Sequence, residues 1–101
     1  MSVQIVRFST DAGRIPEVED AVGKLFAALE EAAPAGTEYT AVRAGEDGEK
    51  AEFLLTLRLA DGAANPLLQL PEALAFRAKV AEWAGAPVPP QPVTVLGRYS
   101  R

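Results

Sequence analysis

Residues 3–8 run Val, Gln, Ile, Val, Arg, Phe, a stretch rich in β-branched and aromatic side chains that leads into Asp11, Ala12 and Gly13. This pattern predicts a first strand closed by a turn. The period then changes. Pro16 stands where a first helical turn tolerates proline, and Glu17, Glu19 and Asp20 fall near the positive end of a helix dipole. Val18, Val22, Leu25, Leu29 and Ala32 recur at intervals of three and four residues, with Phe26 at the margin of that stripe and Glu19, Glu30 and Glu31 largely off it. A first helix is therefore expected from about Pro16 to near Pro34 and Gly36.

Residues 38–43 read as a second strand and residues 52–59 as a third. The polar run Ala44, Gly45, Glu46, Asp47, Gly48, Glu49 between them reads as a hairpin turn. Residues 61–71 form a connection that is unusually apolar for a loop. Pro71 and Glu72 then repeat the helix-start signal, and a second helix is expected to about Trp83, with Gly85 as its stop. Its apolar positions, Leu70, Ala73, Leu74, Phe76, Val80 and Trp83, spread more widely than those of the first helix. Residues 86–92 carry four prolines and predict a stiff extended connector, followed by a last strand over 93–99.

This order of elements predicts an α+β domain of the ferredoxin-like β-α-β-β-α-β kind. Both helices would cover one face of a four-stranded antiparallel sheet, with strands one and three adjacent and parallel in its middle. Period-two alternation then assigns the faces. Phe53, Leu55, Leu57 and Leu59 would face the helices with Val6, Phe8, Val93 and Val95. The opposite face would carry Val3, Ile5, Arg7, Leu54, Thr56, Arg58, Thr94, Leu96 and Arg98. That face is too apolar for bare solvent, and a second copy packed sheet to sheet would hide it, so a homodimer is expected.

Composition narrows the chemistry. A length of 101 residues suits one domain spanning 1–101, and 49% hydrophobic with 24% charged residues is a globular balance. The net charge of −4 and the scattered Lys and Arg argue against a nucleic-acid partner. No apolar stretch is of membrane-spanning or signal-peptide form, so no membrane partner and a cytoplasmic location are expected. Cysteine and histidine are both absent. Their absence removes disulfides, Cys/His zinc sites, His-held haem and every mechanism built on a Ser–His–Asp or Cys–His arrangement. Chemistry must then come from carboxylates, Arg, Lys, Tyr, Trp, Asn or hydroxyls, or from a reactive substrate in a shaped pocket.

The strand Val3, Gln4, Ile5, Val6, Arg7, Phe8, the run Gly13, Arg14, Ile15, Pro16, Glu17 and the helix opening Pro71, Glu72, Ala73, Leu74 together resemble the dimeric α+β barrel superfamily. Within it they resemble the antibiotic biosynthesis monooxygenase-like group. The resemblance is one of plan and hydrophobic pattern over nearly the whole chain. It implies a homodimer with a cavity between helices and sheet, and members that oxidise polyphenolic substrates without a cofactor, so no cofactor is expected. It also implies an Asn, a Trp and an Arg around the cavity. The only Asn here is Asn65 and the only Trp is Trp83. The aromatic common on strand three in the group is missing from Leu55, Thr56, Leu57, Arg58.

Six residues are candidates for ligand binding: Arg7, Tyr39, Arg58, Asn65, Arg77 and Trp83. No catalytic residue is singled out. Arg7 and Arg58 would jointly hold an anion if they sit near the same end of adjacent strands, or would pair with acids across subunits. Tyr39, Arg77 and Trp83 would wall a cavity or serve as core packing and a solvated guanidinium. Asn65 before Pro66 would position a substrate oxygen or simply open a turn. The acids Glu46, Asp47 and Glu49 lack the spacing of a calcium loop and read as a solvated hairpin tip, so no metal is expected. The expected function is binding of an aromatic or hydrophobic small molecule by a protein resembling cofactor-independent monooxygenases. The alternative is a non-enzymatic binding or assembly module of the same fold.

Overall fold

The computed structural model describes residues 1–47 and 49–100, with residues 45–47 described in their backbone only. The chain runs β1 (Ser2–Asp11), a 3-10 turn (Ala12–Arg14), α1 (Ile15–Ala32), β2 (Thr37–Asp47), β3 (Lys50–Leu59), a second 3-10 turn (Pro66–Leu68), α2 (Pro71–Ala84) and β4 (Gln91–Val93). The strands form one antiparallel, four-stranded sheet in the order β2-β3-β1-β4, an α+β architecture. The strands extend into the turn expected over 44–49, β2 to Asp47 and β3 from Lys50, while Gly48 and the side chains of Glu46 and Asp47 lie outside the described residues. Among the described residues no helix is long and apolar enough to cross a membrane.

The alternation of β3 does what its sequence predicts. Ala51, Phe53, Leu55, Leu57 and Leu59 are all buried, while the residues between them are not. The register with β1 places Phe8 opposite Phe53, Val6 opposite Leu55 and Gln4 opposite Leu57, so these pairs share the face that meets the helices. From α1 the side chains of Ile15, Val18, Leu25 and Leu29 reach the core, and from α2 those of Ala73, Phe76, Val80 and Trp83. Both sets join Phe8, Phe53 and Leu55 in a single cluster. Val18 and Leu25 are fully enclosed, and burial of each such side chain stabilises the fold by about 2 kcal/mol. The aromatic centre of the cluster is Phe8, stacked on Phe53 at 5.3 Å and on Trp83 at 6.1 Å.

Three expectations are corrected. β1 and β3 are adjacent in the middle of the sheet but antiparallel, not parallel. β2 and β3 form an antiparallel hairpin, and the return of the chain through α1 sets β2 in the same direction as β1, so β3 must oppose both. The last strand covers Gln91–Val93 in place of 93–99. Val93 already stands opposite Val3, so β1 has almost no chain left to pair with residues beyond it. The same register puts Val93 on the open face with Val3, not on the helix side with Val6. Val95 is exposed, and Leu96 is 97% exposed. Pro92 fits because β4 is an edge strand, where a missing N–H is tolerated.

Connections are tied to the sheet by few bonds. Gly36, between α1 and β2, has φ +68°, and a Cβ there would lie 3.2 Å from the Cβ of Ala60 and 3.3 Å from that of Ala63. Its carbonyl accepts the Ala60 N–H at 2.8 Å, which joins this turn to the start of the connector that leads to α2. Gly36→Ala should therefore destabilise the fold by about 2 kcal/mol, from left-handed backbone strain and crowding together. In thermal unfolding that is a fall of roughly 10 °C. An unchanged melting temperature would show that neither the backbone conformation nor the close approach constrains this position.

Candidate functional site

A cavity of about 100 Å³ lies between the helix side of the sheet and the two connectors that flank α2. Its floor is the helix-facing set of the sheet: Gln4 and Val6 from β1, Tyr39 from β2, and Leu55 and Leu57 from β3. Leu25 of α1 and Ala73, Phe76 and Val80 of α2 form the inner wall. Asn65, Leu67 and Leu68 from the first connector, with Val88 and Pro90 from the second, close the remaining sides, and Leu74 and Arg77 of α2 also line it. The unusual apolarity of residues 61–71 is explained by this placement, because Leu67 and Leu70 pack on the core.

Three of the six candidates meet here: Tyr39, Asn65 and Arg77. Tyr39 is held by Phe26, whose ring lies 5.4 Å away in a tilted contact. Burial pushes its phenol up to about 12, so it stays a neutral O–H through the physiological range. Asn65 opens the 3-10 turn, and its Oδ1 accepts the Leu67 N–H at 2.9 Å. The turn reading of Asn65 is thus realised, and the same bond fixes the amide so that its NH₂ remains for a ligand. Arg77 is exposed on α2. Its neighbours at helical spacing, Ala73, Leu74, Val80 and Ala81, offer no acid.

The other three candidates lie elsewhere. Trp83 is buried in the core, stacked on Phe8 and edge-on to Phe76 at 6.0 Å, and does not line the cavity. Arg7 and Arg58 are on the opposite face of the sheet and are not brought together. Arg7 stands opposite Leu54, and Arg58 stands opposite Val3, four positions further along β1, a separation of roughly 13 Å along the strand. Each pairs with an acid within the chain: Arg7 Nε with Glu52 at 3.5 Å and Arg58 Nη1 with Glu38 at 3.0 Å. Their expected joint anion site depended on parallel strands and disappears with the antiparallel register.

The sequence reasoning missed Gln4. It occupies a helix-facing position in the alternation Gln4, Val6, Phe8, and an amide at such a position was the available signal. A second recess of about 210 Å³ between α1 and the β2 side of the sheet is lined by apolar side chains and by Glu19 and Arg43. Those two face each other at 3.7 Å, so its charged groups are already engaged. No family model, curated protein or solved structure matches the chain.

Tyr39 provides a direct check on the burial of the cavity floor. Between pH 10 and about 12 the unfolded chain loses the phenol proton while the folded chain keeps it. Folding stability is therefore intact below pH 10 and falls as pH rises through that window. Urea unfolding at pH 9 and pH 11 should show the native chain losing about 1 kcal/mol more than Tyr39→Phe over that interval. Equal losses would mean that the phenol is hydrated.

Proposed function

We propose that this chain is a small-molecule-binding protein, with an apolar ligand held in the cavity between helices and sheet. The observation that carries the reading is the convergence of Gln4, Tyr39, Asn65 and Arg77 on an otherwise apolar enclosure, the arrangement typical of ligand sites. The volume limits the occupant. Drug-sized ligands occupy several hundred Å³, whereas an enclosed cavity of about 150 Å³ takes benzene. About 100 Å³ is smaller than that, so one ring or a short branched chain fills it and reaches into the open mouth. Ala73→Leu places added carbon inside the enclosure. It should weaken binding of a small aromatic such as 4-ethylphenol at least tenfold in calorimetry while leaving the circular dichroism unchanged. Undiminished binding would move the ligand out of this cavity.

A second reading, cofactor-independent oxidation of an acidic phenol as in the monooxygenase-like group that the sequence resembles, has one observation in its favour. Asn65 and Arg77, two of the three residue types that the resemblance implies, line the same cavity, although Trp83 does not. Oxygen uptake with single-ring hydroquinones separates the two readings: consumption that falls with Ala73→Leu supports an enzyme. A rise in melting temperature without consumption supports a binding module.

The ferredoxin-like barrel arrangement and the homodimer belong to the same proposal. The open face sets Val42, Leu54 and Ile5, with Thr40 and Thr56 beside them, between an Arg7–Glu52 pair at one end and an Arg58–Glu38 pair at the other. A second copy would cover this apolar band and match its charged ends. Arg58 Nε is buried there without a hydrogen-bond partner, which is costly in a single chain and would be relieved by a small turn of the guanidinium toward an acceptor on the other copy. Native mass spectrometry should show a dimer that Leu54→Asp converts to a folded monomer. A native chain that is monomeric at micromolar concentration would overturn the interface.

A further inference from the structure

The polar groups of the cavity are biased toward one kind of ligand. No Asp or Glu lines it, although the chain carries fourteen acids. Asn65 Oδ1 accepts the Leu67 N–H at 2.9 Å, which fixes the amide and leaves its NH₂ as a donor. Tyr39 is a buried phenol that remains protonated and is pinned by Phe26. Gln4 adds an amide that can donate. Arg77 completes the set with a permanent positive charge.

The state of Arg77 is unlike that of most other cations in the chain. Arg7, Arg14, Arg43, Arg58, Lys24 and Lys50 each face an acid. Arg77 faces none among the described residues; Lys79 and Arg98 share that condition but do not line this cavity. A guanidinium without an acid, beside an apolar enclosure whose other polar groups donate, is a receptor for an anion with a hydrophobic tail.

Resting on the reading of this cavity as the ligand site, we infer that its ligand is a small monocarboxylic acid. One ring or a short branched chain fills the enclosure, and the carboxylate sits at the mouth between Arg77 and the Asn65 amide. A carboxylate matches the planar fork of the guanidinium with both oxygens, and the enclosure is too small for a long acyl chain. The inference goes beyond the proposed function by fixing the ligand's charge and head group.

The test uses isothermal titration calorimetry of the whole chain with benzoate and hexanoate against their neutral counterparts benzamide and hexanamide, and with palmitate as a long chain. The acids should bind at least tenfold more tightly than the amides. Arg77→Gln should abolish that difference by weakening the acids alone, and Arg77→Lys should restore part of it. Amides that bind as well as the acids, or acid binding that survives Arg77→Gln, would overturn the carboxylate assignment while leaving the cavity as a ligand site. Binding by 4-ethylphenol that overtakes benzoate as pH approaches 10 would overturn it in favour of a phenolate. Palmitate stronger than hexanoate would overturn the size limit. Failure of both acids and amides to bind, with 4-ethylphenol also silent, would remove the ligand site itself.

Discussion

The register of β1 against β3 decides what every other part of the molecule meets. With Phe8 opposite Phe53 and Gln4 opposite Leu57, one side of the two central strands presents aromatic and aliphatic side chains to both helices. A slip of one residue would send that whole set to the other face. The slip is prevented by the side chains themselves, because the alternative positions on β3 are Glu52, Leu54, Thr56 and Arg58, which would put two charges beneath the helices. Burial of an unpaired charge costs far more than any register gain. The stack of Phe8 between Phe53 and Trp83 then locks α2 over the centre of the sheet.

A cavity remains where that locking ends. α2 packs its aromatic residues, Phe76 and Trp83, near Phe8 and Phe53, while the other end of the sheet's helix side offers Gln4 and Leu57. Leu25 of α1 and Phe76 and Val80 of α2 reach the edge of that space, and the small side chain of Ala73 leaves part of it open. The gap is closed by irregular chain instead: the connector carrying Asn65, Leu67 and Leu68, and the proline-rich one carrying Val88 and Pro90. Irregular backbone is satisfied locally, by Asn65 Oδ1 on Leu67 N–H and by Gly36 carbonyl on Ala60 N–H. The cavity is thus closed by two connectors laid over a floor that belongs to the β1–β3 face of the core.

The parts of the fold that were legible in the sequence are those governed by side-chain periodicity. The odd positions of β3 and the Val18, Leu25, Leu29 part of the α1 stripe read correctly because burial repeats at a fixed interval, whereas Ala32 at the helix end is exposed and the buried Ile15 precedes the stripe. The direction of β3 relative to β1 follows from connectivity, and the face assignment of the last strand follows from register, which no local pattern contains. The sequence 93–99 has strand character, yet Val93 meets Val3 near the start of β1, and a strand cannot extend past its partner. Of the candidate site, Tyr39, Asn65 and Arg77 were recognised as residue types and brought together only by tertiary structure. Trp83 shares their chemistry but is used as core. Gln4 was overlooked although its position in the alternation marked it.

The two faces of the sheet divide the polar chemistry between them. On the open face cations and acids occur in pairs, Arg7 with Glu52 and Arg58 with Glu38, so the charges largely cancel and what remains is Ile5, Leu54 and Val42 with the hydroxyls of Thr40 and Thr56. On the helix face Arg43 is paired with Glu19, and within the cavity Arg77 at the mouth is the one charged residue of the lining, the other polar groups there being neutral. A face with balanced charge suits contact with another protein surface, where unpaired charge would be penalised on burial. A nearly neutral enclosure with one uncompensated cation suits a small ligand that brings the missing negative charge itself.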